Sequence, residues 1–341
     1  MIFKHLLIIL LISAPVFSQP DKLNAKAEII FLDREEALNV VTPQLSGSCV
    51  ARIPAWKLSI DERYTNSSTE RRSNKEWREA FEAAVRDFSD EDRETLTQYV
   101  GQIDSVIRLE FPRLGALPWS FVLLSDSSGF DGFCAVKHIV LTDKLISVMR
   151  ERMEMQSSLK FTGFEILIHE KVRILQLIIP EPFEAFYRVV WGFRKINTQL
   201  VDDIIQDRGQ FLTSVSPKEW VIKASPRDKN YILPGLVLRD DGKGGAGNLH
   251  RIAITVDSTS KGFTPRKGKK SKVDYRDLSV VTQYRKKFPL SEYDYHPDEL
   301  SADLIAKFLV MKYISSSYGT TPSRFADYSK IEELINIMNN Y

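Results

Sequence analysis

Two cysteines, five histidines and a net charge of +2 are all that this 341-residue chain offers to several chemistries, and each scarcity narrows its function. Cys49 and Cys134 allow one disulfide at most; a bridge between them and two separate thiols are equally compatible with the sequence. The near-neutral charge gives no global footprint for nucleic acid, and none is expected as a partner. Beyond an N-terminal run, no stretch approaches the ~20 apolar residues that a membrane-spanning helix needs. Internal repeats are absent. The glycine-rich stretch 240–248 is not followed by the Gly-Lys-Ser/Thr and helix of a phosphate loop. Lys261 to Lys272, a basic stretch with scattered Gly and Pro, reads as a solvated loop or a local polyanion site.

What is present begins with a short basic head, Lys4 and His5, an apolar run from Leu6 to Ile12, and small residues through Ser18. This order predicts a secretory signal peptide over 1–18, and with it a secreted or periplasmic protein. An N-terminal extension is expected over 19–73 and one larger domain over 74–341. Apolar residues make up 43% of the chain, enough for a real core. Ala27–Leu32, Trp119–Leu124 and Cys134–Leu141 read as strands, and three more are expected at 220–223, 232–238 and 251–256. Helical spacing appears from Asn74 to Phe88, and in a helix capped by Ser89 that runs to Pro112. Further helices are expected from Asp143, over 159–177, over 183–207, from Pro297 to Tyr313, and from Ser329 to Asn339. Helices and strands follow one another without a βα repeat, so the expected fold class is α+β.

Chemistry concentrates in two segments. The first is His169-Glu170-Lys171-Val172-Arg173, inside the helix expected over 159–177. Residues at i and i+4 share a helix face, so a histidine pair at that spacing would converge on one metal ion, with the adjacent glutamate polarising a metal-bound water. Here the second position is Arg173. The other segment is Pro297-Asp298-Glu299-Leu300-Ser301-Ala302-Asp303, whose Glu299 and Asp303 also share a helix face.

Together these segments resemble the zinc-binding helices of the zincin-like metallopeptidases, in particular the gluzincins, with HExxR in place of HExxH. The resemblance covers the order of elements over residues 115–316, including an edge strand (Cys134–Leu141) just before the central helix. It implies a zincin-like α+β domain with a small mixed sheet. It further implies His169 and Glu299 as zinc ligands, Glu170 as general base and Asp303 as the residue that orients His169.

Arg173 departs from that pattern. A guanidinium has no lone pair to give a metal and stays charged. Zinc as cofactor is therefore in question, and the expected function is that of a secreted metallopeptidase-like protein with an impaired zinc site. Two other outcomes stay open: an active zinc peptidase that recruits a further ligand such as His138, His250 or His296, and a non-catalytic module that binds a peptide or protein. In a metal-free site, the guanidinium is expected to sit between Glu170 and Glu299 and neutralise both. A purely structural reading also stands, with His169 in the core and Glu170–Arg173 as a surface pair. Tyr293 and Tyr295 precede the Glu299 helix, placed either to stabilise an oxyanion or to pack.

Overall fold

The computed structural model describes residues 27–45, 79, 81–126, 133–135, 137–155, 158, 160–196, 211–212, 219–223, 225, 230–238, 249–260, 262–268, 272–288, 291, 293–319 and 328–341. Residues 1–26, Cys49 and the stretch 240–248 lie outside them, as does the side chain of Cys134.

A mixed sheet forms first along the chain. Strands β1 (Ile29–Phe31), β3 (Trp119–Leu124) and β5 (His138–Thr142) run parallel, and β4 (Phe133–Ala135) lies antiparallel on the outer side of β5. A short β2 (Val85–Arg86) pairs antiparallel with the end of β3. Side chains alternate across this sheet as strand geometry requires. Trp119, Phe121, Leu123, Ile139 and Leu141 enter the main core, while Val122, Leu124 and Val140 pack on the other side against Leu32, Ala37 and Phe81. Helix α1 (Arg34–Leu45) contributes Ala37 to that second layer. The segment expected as an N-terminal extension thus supplies a strand to the sheet.

The main core is built by α2 (Asp90–Glu110), α3 (Asp143–Glu154), α4 (Lys160–Ile178), α5 (Pro180–Val189), α6 (Pro297–Tyr318) and α7 (Ser329–Asn340). Ser89 caps α2 through a reciprocal capping box with Asp92, and the acids 90–92 suit the positive end of the helix dipole. Pro180 and Pro182 stop α4 and open α5, where the first turn needs no donor. Gly163 lets α4 approach α2 closely, since a Cβ there would lie 2.5 Å from the Tyr99 ring.

A second, antiparallel sheet follows: β6 (Phe193–Ile196), β7 (Phe211–Leu212), β8 (Glu219–Ile222), β9 (Tyr231–Leu238), β10 (Leu249–Thr259), β11 (Gly262–Pro265) and β12 (Tyr275–Asp277). One face, with Trp220, Ile222, Ile232 and Ala253, closes the main core, and the other holds Val221, Leu233, Ile252 and Ile254. The architecture is α+β, with mixed and antiparallel sheets around a helical centre.

Three sequence expectations need correction. The long helix over 183–207 ends at Val189; Gly192, at φ +74°, turns the chain, and Phe193–Ile196 becomes a strand of the second sheet. Phe186 and Phe193 enter the main core from the helix and then from the strand, whereas Val189 is exposed and Ile196 packs on the other face of the second sheet, so the helical spacing is coincidental. The helix expected through Phe88 stops at Ala84, and Val85–Arg86 pairs with Leu123–Leu124 instead. The single strand Cys134–Leu141 is a tight hairpin, with Ala135 opposite His138, turned at the polar Lys137.

Candidate functional site

Helices α4 and α6 pack antiparallel: Phe164 meets Tyr313 toward one end, and Gln176 meets Asp298 at the other. The start of α6 is fixed by its own sequence. His296 is the N-cap, its Nδ1 accepting from the Asp298 amide at 3.1 Å; Pro297 takes the first helical position, and Asp298 and Glu299 fill the acidic first turn.

This approach brings His169, Arg173 and Glu299 together. His169 Nε2 lies 3.1 Å from Glu299 Oε2, and Arg173 Nη2 lies 3.3 Å from Glu299 Oε1. Arg173 Nη1 is 3.5 Å from Asp298 Oδ2. His169, Arg173 and Glu299 are all buried. The guanidinium also donates to Gln176, whose amide donates to the Asp298 carbonyl at 2.9 Å and to Ser301 Oγ at 2.8 Å. Tyr187 and Ser301 share a 2.6 Å bond that closes the network underneath.

Two expected partners stand elsewhere. Glu170 is half-buried and has no hydrogen bond or ion pair among the described residues. Arg173 turns to α6 because Asp298 and Glu299, adjacent on that helix, give it two carboxylates on one surface. Asp303 accepts from Lys307 at 2.9 Å, within its own helix, and makes no bond to His169.

A further element lies beside the site. The segment before α6 carries Tyr293, whose ring lies 5.0 Å from the His169 ring, and Tyr295, 6.3 Å from Tyr293. Asp294 anchors this segment. It is fully buried and paired with Arg285 at 2.7 Å and Arg251 at 3.3 Å, and its carbonyl accepts from the Tyr284 hydroxyl. Burial first, then the Glu299 carboxylate, and more weakly Tyr293 and Glu170, push the Tyr295 hydroxyl well above the ordinary tyrosine value, so it stays a neutral phenol.

On the opposite face of α4, Lys171 is fully buried. Its ammonium lies 3.8 Å from the centre of the Trp119 ring and 4.0 Å from Asp104, without a hydrogen bond among the described residues. Burial draws its pKa down from 10.5 to about 7, against the opposing pull of Asp104.

The donor set does not fit a zinc ion. Of the expected ligands, His169 and Glu299 bond to each other, and the i+4 position is a cation. His296, the nearest extra histidine in sequence, is 2% exposed and committed to the helix cap. His138 bonds Ser120 across the first sheet at 2.7 Å. Among the described residues, no three His, Cys, Asp or Glu side chains are grouped to hold a metal. Gln176, Tyr187, Ser301 and Asp298 were missed by motif reading. Gln176 was within reach of it, since it lies seven residues after His169 and so on the same helix face.

No family model, no curated protein and no solved structure matches the chain.

Proposed function

We propose that this is an exported metallopeptidase-like protein of zincin-like fold that has exchanged its catalytic zinc for an arginine, and that it binds a peptide or protein without cleaving it. The observation that carries this reading is the Arg173 guanidinium paired with Glu299 and Asp298 at the position where a metal ligand would stand. A fixed positive charge 3.3 Å from the carboxylate repels a dication and already neutralises the acid that would bind it.

Three features support the wider reading. The N-terminal apolar run and small-residue exit support export, and no helix among the described residues is long and apolar enough to cross a membrane. The mixed sheet with antiparallel β4 at its edge, next to α4, supports the zincin-like arrangement. A strand at a sheet edge is also a ready partner for an extended peptide, by strand addition.

The test is hydrolysis of a quenched-fluorescence peptide library by the mature chain in the presence of added zinc, with a Glu170→Gln variant alongside. The expected result is no turnover by either protein. Turnover by the natural chain that Glu170→Gln abolishes would overturn the reading.

A further inference from the structure

The charge of this near-neutral chain is unevenly spread. Residues 219–287, which include strands β8 to β12, hold 16 Lys and Arg against 7 Asp and Glu; the remaining residues hold 31 against 38. A basic segment in an otherwise acidic chain marks one surface for an anionic partner.

The face of the second sheet that points away from the main core gathers cations. Arg194, on β6, and Lys223, directly after β8, both lie against the Tyr231 ring, 5.2 and 5.4 Å from its centre. Neither has a hydrogen bond or ion pair among the described residues. Two like charges held on one ring repel each other, and an anion docked over them relieves that repulsion. Phe263 of β11 packs edge-on against the same ring at 4.9 Å. The basic stretch after it turns back on itself: Lys267 bridges to Val273, which is buried in the same apolar cluster as Tyr231. Lys267 and Lys272 are exposed, again without an ion pair among the described residues.

Shape decides which anion. Tyr275 of β12 stands opposite Ile254, a member of that cluster, so it shares the face, and it is 46% exposed. At ~4.8 Å per strand, the cations and rings from β6 across β8, β9 and β10 to β12 spread over roughly 19 Å. A linear polyanion is held along one groove. A broad face with cations and an exposed ring suits anionic headgroups and the boundary beneath them. Asp277, an acid opposite Ile252 on this face, is occupied in capping the turn after β12.

We infer that this face, centred on Tyr231, docks on an anionic phospholipid bilayer as a peripheral contact. The inference does not rest on the reading of the α4–α6 site.

The test is co-sedimentation of the mature chain with vesicles of phosphatidylcholine alone and of phosphatidylcholine with phosphatidylglycerol at roughly 3:1, at low and at high salt. Binding is expected to the anionic vesicles only, and it should be lost at high salt. Replacing Arg194 and Lys223 together by alanine should weaken it about ten- to thirtyfold. Tyr275→Ser, a change at an exposed ring, should weaken it several-fold and keeps the test open if the double variant misfolds. Long-chain inorganic polyphosphate, titrated in parallel, separates a bilayer from a soluble polyanion. Polyphosphate binding without vesicle binding assigns the face to a soluble polyanion and overturns the inference. So do equal binding to both vesicles, no binding to either, and full affinity in the folded double variant or in Tyr275→Ser.

Discussion

Arg173 and Lys171 are two residues apart on α4, and they are two buried cations with opposite consequences. Arg173 is surrounded by acceptors, so removing it strands two carboxylates with little access to water. Arg173→Leu is expected to lower stability by about 3–5 kcal/mol, the usual cost of breaking a buried pair on one side. Denaturant unfolding measures it. Glu299→Gln should cost less, since an amide still accepts from the guanidinium. Lys171 has a ring face and a distant carboxylate but no hydrogen bond among the described residues, so its charge is a burden. Its pKa is about 7 in the folded chain against an ordinary 10.5, so between those values the unfolded chain binds more protons. Stability should therefore rise with pH from about 7 toward 10.5, with the full penalty present below 7. Lys171→Met keeps the volume and removes the charge. It should gain a few kcal/mol at pH 6 and flatten the rise above neutrality. Unfolding midpoints of both proteins at pH 6 and pH 9 test this; equal slopes would contradict it.

At the scale of elements, α4 packs tightly against α2 at Gly163. A methyl group there meets the buried Tyr99 ring, which is itself held by a 2.9 Å bond to the Met149 carbonyl. Gly163→Ala is expected to destabilise by about 1–3 kcal/mol despite the better helix propensity of alanine. A double-mutant cycle with Tyr99→Leu should show strong coupling between the two positions. What the sequence made legible divides at this scale. The central helix, the Ser89 cap and the α6 start were readable because each is set by residues within a few positions. His169 and Glu299 were expected, from the resemblance, as ligands of one metal ion; their direct contact at 3.1 Å was not. The Arg173–Asp298 pair and the Gln176–Ser301 bridge were not readable, because they depend on how two helices more than a hundred residues apart slide against one another. Gly192 illustrates the other limit. Apolar residues on both sides of it keep helical spacing, and only the positive φ reveals that the chain has become a strand. The Cys49–Cys134 pairing lies outside the described residues.

For the whole molecule, the two sheets and the core helices among the described residues form a frame around the α4–α6 contact. Arg173, Asp298, Glu299, Gln176 and Ser301 form the polar part of that contact, and Phe164 and Tyr313 the apolar part. A chelator should therefore leave the melting temperature unchanged, a result that a structural zinc would not permit. The most direct measurement is elemental analysis of zinc in the mature protein and in its Arg173→His variant, both purified in the presence of zinc. The variant places a histidine one turn from His169, with Glu299 facing both positions. Essentially no zinc is expected in the natural chain and close to one per chain in the variant. Zinc near one per chain in the natural protein, lost on changing His169 or Glu299, would contradict it.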